Sequence, residues 1–88
     1  MNSNRAKSKQ LGMDVGTATH RLKLSILFSL VQQTGQDTCY QCGKPITEAQ
    51  ELSIEHKQPW YKVDTGLFWD LGNVAFSHRL CNRPDRPT

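Results

Sequence analysis

The chain has few of the features that stabilise secreted, membrane or repeat proteins. It contains 3 cysteines in 88 residues, and three cysteines cannot all pair as disulfides. It shows no signal peptide, no apolar run long enough to span a bilayer, no internal repeat and no low-complexity segment. These absences exclude a disulfide framework and an integral membrane protein. We therefore expect a soluble, intracellular protein of the cytoplasm.

Small size sets the next constraint. A chain of 88 residues forms one domain, and only 36% of its residues are hydrophobic. A domain this short buries too little apolar surface to be comfortably stable on its core alone. A cross-link is therefore expected, and the cysteine spacing favours a bound metal ion over a disulfide.

The net charge of +3 is distributed unevenly along the chain. Residues 1–23 carry a net charge of +4, residues 24–78 carry −3 and residues 79–88 carry +2. Basic ends around a more acidic middle suit contact with a phosphate backbone while carboxylates hold cations at the centre. Solubilising tails at the two ends would explain the charge alone equally well.

The N-terminal residues differ in character from the rest of the chain. Residues 1–16 are polar and lack periodicity, which predicts a flexible basic arm. Thr17 is a suitable N-cap for a helix that follows the arm, and Gly35 is a suitable residue to stop that helix.

Apolar periodicity predicts an amphipathic helix over residues 17–34. Leu22, Ile26 and Leu30 recur at i, i+4 and i+8, which is typical of a helix with a broad buried face. Four further apolar residues widen this stripe: Leu24, Leu27, Phe28 and Val31.

Four candidate zinc ligands form two pairs, with two residues between the members of each pair. Cys39 and Cys42 form a zinc knuckle, and His78 and Cys81 lie near the end of the chain. Structural zinc takes four nitrogen or sulfur ligands in a tetrahedron, and ligands at this spacing reach one ion from a single turn. Ordinary buried cysteines and a surface histidine are the alternative interpretation. A structural Zn²⁺ ion would fasten the start of the domain to its end.

Two short strands are predicted between the knuckle and the end of the chain. Residues 52–56 alternate apolar and polar side chains, and residues 73–77 form a second candidate strand. The segment 59–70 between them is expected to be a loop, with Trp60 and Trp69 packing onto the core rather than stacking on bases. The predicted order is helix, knuckle, strand, loop, strand and short helix, which is an α+β domain.

A second set of polar residues has the chemistry that phosphodiester hydrolysis requires, namely an activated water and a counter-charge for the transition state. Glu55 offers a hard oxygen ligand for Mg²⁺ or Mn²⁺, and His56 can take a proton near neutral pH. Asn82 directly follows Cys81, so bound zinc would fix its backbone and let its amide oxygen complete the cation site. Taken alone, the Glu55 and His56 pair is more typical of a salt-bridged surface strand, and it is the presence of Asn73 and Asn82 that favours the cation site.

These segments together resemble the HNH endonuclease family, in its zinc-containing ββα-metal (His-Me finger) form found among phage and mobile-element nucleases. The resemblance covers residues 39–82 and implies an HNH domain over residues 17–88 with a ββα-metal core at 52–83. In this chain His78 stands where four-cysteine members have a thiolate. Two prolines, Pro84 and Pro87, either limit the helix after the last zinc ligand to about one turn or leave a loop there.

The resemblance also implies residue roles. His56 corresponds to the general base of the family, and Asn73 to the asparagine that orients this base through backbone hydrogen bonds. Glu55 and Asn82 correspond to the ligands of the catalytic divalent cation. Family members cut DNA by metal-assisted hydrolysis, leaving 5′-phosphate and 3′-hydroxyl ends.

The resulting hypothesis is a metal-dependent DNA endonuclease or nickase. Two alternatives stay open: a non-catalytic zinc module that binds nucleic acid or protein, and an accessory subunit of a phage DNA-processing machine. Lys57, Arg79 and Arg83 lie beside the candidate site residues and are either phosphate contacts or solvated surface charges. DNA is the expected partner, and a homodimer or a larger phage complex is an open question.

Overall fold

The structure, a computed structural model, describes residues 3–82. In these residues three α-helices accompany one two-stranded antiparallel sheet, so the α+β class is confirmed. The elements are α1 (Ser3–Leu11), α2 (Val15–Gln33), β1 (Leu52–His56), α3 (Gly66–Trp69) and β2 (Val74–His78), with short 3-10 turns at Ala49–Glu51 and Leu71–Asn73.

Most of the predicted N-terminal arm is helical. The prediction of an arm without regular structure is wrong for Ser3–Leu11, because this segment contains no glycine or proline and several strong helix formers. Helix α1 buries none of its side chains, so it has no apolar face that periodicity could detect. It ends at Gly12, whose φ of +75° suits glycine.

Helix α2 begins two residues earlier than predicted. Its N-cap is Asp14, not Thr17, and the Asp14 carboxylate accepts hydrogen bonds from the amides of Gly16 (3.0 Å) and Thr17 (3.2 Å). A negative charge at this position also complements the helix dipole. The helix ends at Gln33, and Gly35 follows in the left-handed conformation at φ +72°, as the sequence predicts. Between residues 3 and 82, no helix is both long enough and apolar enough to cross a membrane.

The buried face of α2 is not the one predicted. Leu22, Ile26 and Leu30 are 60%, 52% and 52% exposed, whereas the four residues described as widening the stripe pack on the core: Leu24, Leu27, Phe28 and Val31. At about 100° per residue, the centres of these two apolar stripes lie roughly 150° apart around the helix. Because both stripes are apolar, periodicity alone cannot decide which one is buried.

We expect two matched substitutions on α2 to separate these stripes. Val31 is 2% exposed and belongs to the central cluster with Ile46 and Leu52, so Val31→Ala should lower the free energy of unfolding by about 2 kcal/mol. Ile26→Ala removes a half-exposed side chain and should change it by less than about 0.5 kcal/mol. Denaturant unfolding of the zinc-loaded variants measures both values. A larger loss from Ile26→Ala than from Val31→Ala would contradict this orientation of α2.

The sheet places a carboxylate on a buried face. Strands β1 and β2 pair in antiparallel register, with Glu55 opposite Ala75 and Ser53 opposite Ser77. These four residues share one face because side chains alternate along each strand. Glu55, Ala75 and Ser77 are 2%, 8% and 0% exposed, so this face is buried although most of its residues are polar.

The segment that joins the two strands is partly helical rather than a loop throughout. It contains α3 and the 3-10 turn Leu71–Asn73, and β2 consequently begins at Val74, one residue later than predicted. A hydrogen bond from the Lys57 amide to the Asn73 carbonyl (2.7 Å) closes the segment next to the last residue pair of the sheet. The two ends of the segment are thereby held beside His56.

Candidate metal centre and active site

The four predicted zinc ligands lie together. The ligand atoms of Cys39, Cys42, His78 and Cys81 are all within 4.8 Å of one another. The Nδ1 atom of His78 lies 3.3 Å from the Cys42 sulfur and 3.9 Å from the Cys81 sulfur. A tetrahedral zinc site with Zn–S bonds of about 2.3 Å has ligand atoms about 3.8 Å apart. Spacing and donor set therefore fit one Zn²⁺ ion.

The knuckle backbone turns tightly around the Cys39 sulfur. Gly43, at φ +76°, donates its amide to the Cys39 carbonyl (2.9 Å), and the Cys39 amide donates to Lys44 (2.9 Å). The amides of Cys42 and His78 point at the Cys39 sulfur, at 3.4 Å and 3.3 Å. Such amide donors stabilise a thiolate. The knuckle and the end of β2 are thus joined by hydrogen bonds to the Cys39 sulfur, in addition to any metal ion.

Protonation of the ligand groups reflects this crowding. Burial raises the pKa of Cys39, but hydrogen bonds from the backbone amides of Cys42, His78 and Gln41 outweigh that effect. The net result is a pKa lowered to about 6. Burial, followed by contacts with the two other sulfurs, raises the pKa of Cys81 to about 11. Contact with the Cys39 sulfur is the main cause that raises the pKa of His78. The three sulfurs and the imidazole together therefore stabilise a positive charge placed between them. A divalent cation supplies that charge and displaces the protons of the thiols.

The imidazole of His78 is oriented by a second contact. Its Nε2 atom lies 3.1 Å from the Pro45 carbonyl oxygen. A carbonyl oxygen only accepts hydrogen bonds, so Nε2 carries the proton and the Nδ1 lone pair is directed at the metal position. This is the usual arrangement behind a zinc-bound histidine.

His56, at the end of β1, has a comparable arrangement. Its Nε2 atom lies 3.1 Å from the Phe68 carbonyl oxygen, so Nε2 carries the proton of the neutral ring and Nδ1 is left as the basic nitrogen. The ring stacks on Phe68, with centroids 5.0 Å apart, and it is half-buried. The imidazole is thus held by one hydrogen bond and one ring contact.

Asn73 ties together the backbone on both sides of His56. Its Oδ1 atom accepts the Gln58 amide (2.8 Å), and its Nδ2 group donates to the carbonyls of Gln58 (3.1 Å) and Leu67 (3.0 Å). Asn73 is 6% exposed, so these bonds are shielded from water. Since Leu67 precedes the residue whose carbonyl faces His56, the side chain of Asn73 supports the position of that carbonyl.

A family model described as HNH endonuclease matches residues 39–85, which is just over half of the chain. The chain belongs to the HNH endonuclease family. Neither the curated proteins nor the solved structures include a significant match to it. The matched segment contains the zinc tetrad, both strands of the sheet, and the histidine and asparagine described above.

The two predicted cation ligands of this HNH domain, Glu55 and Asn82, differ in their hydrogen-bond partners. The carboxylate of Glu55 accepts hydrogen bonds from Gln41 Nε2 at both oxygens (3.0 and 2.9 Å) and from Ser77 Oγ (2.5 Å). Asn82 donates its Nδ2 group to Ser53 Oγ (2.8 Å) and the Ile54 carbonyl (3.2 Å). Asn82 therefore lies on the Ser53 and Glu55 side of the sheet, with its Oδ1 oxygen not used in these bonds.

Two of the three basic residues predicted to contact phosphate lie within the described part of the chain, and both are at the surface. Lys57 is exposed, with its Nζ atom 5.7 Å from the centre of the Tyr40 ring. Arg79 is exposed, and its amide donates to the Glu51 carbonyl. Arg83 lies outside the described residues.

Several groups that shape the HNH site were missed by sequence reasoning. Gln41 and Ser77 hold Glu55, and the carbonyls of Pro45 and Phe68 fix the two imidazoles. A glutamine inside a knuckle or a serine in a strand carries no signal of its own. The one usable signal was alternation: Ser77 falls on the same sheet face as Glu55 once the register is known.

Proposed function

We propose that this HNH domain is a metal-dependent endonuclease or nickase that hydrolyses phosphodiester bonds of DNA. The observation that carries the proposal is the orientation of His56, whose Nε2 atom faces the Phe68 carbonyl and whose Nδ1 atom remains basic. A buried, hydrogen-bonded Asn73 supports this arrangement.

His56 is proposed to act as the general base. Its Nδ1 atom accepts a proton from the attacking water while the Phe68 carbonyl stabilises the imidazolium that forms. The oxygen of that water bonds to phosphorus and the bond from phosphorus to the 3′ oxygen breaks. The phosphate stays on the 5′ oxygen of the downstream nucleotide, and the released 3′ oxygen takes a proton from solvent to give a 3′-hydroxyl. The general base contributes about 10²- to 10⁴-fold in rate in typical enzymes.

Glu55 and Asn82 are the proposed ligands of a catalytic Mg²⁺ or Mn²⁺ ion. A bound cation would neutralise charge on the phosphate and on the departing 3′ oxygen. Carboxylate and amide oxygens suit these hard cations. The Oε1 atom of Glu55 accepts hydrogen bonds from Gln41 and Ser77, whereas Oε2 accepts one from Gln41 alone, so we infer that Oε2 is the oxygen with a lone pair left for the cation.

Zinc is proposed to have a structural role only. Its four ligands join the knuckle to the end of β2 and to the turn in which the amides of Cys81 and Asn82 both donate to the His78 carbonyl. The proposed cation ligand Asn82 directly follows the ligand Cys81, so the ion would fix the backbone of one site from the other. A thiol-rich site of this kind supports our proposal that the protein works in a reducing compartment, the cytoplasm.

Nicking of supercoiled plasmid tests the proposal. We expect zinc-loaded protein to convert supercoiled DNA to the relaxed form when Mg²⁺ or Mn²⁺ is added and not when it is omitted. Omission is preferable to a chelator because a chelator would also remove zinc. Glu55→Gln, which keeps the size of the side chain and removes its charge, should lose most of this activity while keeping the zinc content. Cleavage that does not depend on the added cation would contradict the assignment of Glu55.

The burial of Glu55 favours one other function. A carboxylate that is 2% exposed and already accepts three hydrogen bonds from Gln41 and Ser77 also suits a module that binds nucleic acid without cutting it. Binding of DNA by a folded, zinc-loaded protein that cleaves under no cation would support that alternative.

A double-strand cut requires two active sites, so we propose nicking as the reaction of one copy of the chain. A double-strand cut would then need a second copy or a larger DNA-processing complex.

A further inference from the structure

Four of the seven aromatic residues lie between positions 60 and 69 and form a connected group of rings. We name this group the aromatic platform; its members are Trp60, Tyr61, Phe68 and Trp69. The Phe68 ring lies 4.9 Å from Trp60 and 4.7 Å from Trp69, and Tyr61 lies 5.9 Å from Trp60. The His56 ring stacks on Phe68 at 5.0 Å. The platform is therefore continuous with the proposed general base.

The platform is exposed rather than packed away. Trp69 is 76% exposed and Tyr61 68% exposed, so the expectation that Trp69 packs onto the core is wrong. Trp60 is half-buried and meets that expectation in part. A cleft of about 230 Å³ lies between Trp60, Thr65, Phe68 and Trp69. Large apolar rings grouped at the surface beside a site indicate a binding surface.

The charges around the platform suit a nucleic acid. Lys62 lies beside Tyr61, with its Nζ atom 5.5 Å from the ring centre. The nearby carboxylates of Asp64 and Asp70 are engaged by the amides of Gly66 (2.8 Å) and Gly72 (2.9 Å). Exposed π faces beside a lysine ammonium group match a base joined to a phosphate.

The backbone that carries the platform is held in an unfavourable conformation. Lys62 adopts φ +59°, which is uncommon for a residue other than glycine. The amides of Val63 and Asp64 both donate to the Trp60 carbonyl at 3.0 Å and close this turn. Such strain persists where the surrounding structure fixes it, commonly at binding sites. Here the turn keeps Tyr61 and Lys62 at the surface.

We propose that the aromatic platform binds an unpaired nucleobase next to the phosphate that is cleaved, and that the substrate is therefore single-stranded or branched DNA. This inference rests on the proposed function for its placement beside the reacting phosphate. Bases inside a duplex are already stacked on both faces, so the rings can reach one only after unstacking it. An unpaired base offers its π face without that loss.

Binding in the absence of any catalytic cation tests the inference independently of cleavage. Zinc-loaded protein is titrated at one salt concentration with a labelled single strand, the blunt duplex of the same sequence, and an abasic single strand of equal length. Both tryptophans of the chain belong to the platform, so intrinsic fluorescence reports on it directly. We expect the single strand to bind most tightly and to quench this fluorescence. The abasic strand should bind more weakly and should leave the fluorescence unquenched.

Substitutions locate the contact. Trp69→Ala should weaken single-strand binding by about 5- to 100-fold, the range typical of one lost stacking contact, and leave abasic binding unchanged. Trp69→Phe should retain most of the affinity because it retains a ring. The matched control is Leu71→Ala, which removes an apolar side chain that is 84% exposed and lies two residues away. This control should bind like the parent protein.

Each contrary outcome has a distinct meaning. Equal affinity for normal and abasic strands would overturn the base-binding site, even if the protein nicks DNA. Base-dependent binding without cleavage under any cation would uphold the site and remove the nuclease assignment. Self-association that depends on Trp69, seen by sedimentation without DNA, would overturn the inference, because the rings would then be covered by a second copy of the chain.

Discussion

Cys39→Ser is expected to abolish the native fold of the segment from the knuckle to Asn82, and removal of zinc from the parent protein should do the same. Cys39 is a proposed zinc ligand and also one of the four residues of the buried cluster, with Val31, Ile46 and Leu52. A core this small supplies little stability. Structural zinc contributes about 10 kcal/mol or more in small zinc domains, which exceeds the stability expected of the remainder.

Circular dichroism and thermal unfolding measure this effect. The zinc-loaded parent should unfold cooperatively, the chelated protein should lose that transition, and stoichiometric zinc should restore it. His78→Ala should behave like Cys39→Ser. A suitable control is His20→Ala, since His20 is an exposed residue of α2. An unchanged cooperative transition after complete zinc removal would show that the tetrad is not a structural metal site.

The zinc tetrad could be predicted from sequence because it depends on local spacing. Two residues between ligands bring both members of a pair to one ion, and the chain offers only three cysteines for it. The predicted strand at Leu52–His56 is likewise confirmed, because the alternation of its side chains is a local property. The strand and each ligand pair require no knowledge of which elements pack together, and the meeting of the two pairs was predicted from the need of one zinc ion for four ligands.

The environment of Glu55 could not be predicted in this way. Its partners Gln41 and Ser77 lie 14 and 22 residues away, and they meet it only after the knuckle folds over the sheet. The two apolar stripes of α2 pose the same problem. Leu27 and Leu30 are equally hydrophobic, and only contact with the core distinguishes them. Tertiary packing, not local pattern, decided these features.

The position of Trp69 illustrates a different limit. Tryptophan is usually well buried in small domains, so a packing role is the reasonable prediction for it. The short helix α3 ends at Trp69 and leaves its ring against the edge of Phe68, with most of its surface in solvent. The usual burial of tryptophan is an average over many proteins. It fails most often at functional surfaces, where exposure of the ring serves binding.

Substitution of His56 should abolish nicking without unfolding the protein. His56→Ala removes the proposed base and should reduce the rate by about 10²- to 10⁴-fold. His56→Gln is the sharper variant, since its amide can still donate to the Phe68 carbonyl but cannot accept a proton near neutral pH. If the role of His56 were only to hold the loop, His56→Gln would retain most of the activity. Loss in both variants therefore identifies proton transfer.

The chain contains three histidines, and we expect substitution of each to give a different result. His78→Ala should lose zinc and fold together, His20→Ala should lose neither fold nor activity, and His56→Ala should keep zinc and fold while losing activity. Added imidazole should restore part of the rate to His56→Ala, because it supplies a base to the space left by the ring. Activity of the folded His56 variants within about threefold of the parent would contradict the general-base assignment, since that factor is well below the contribution of a general base.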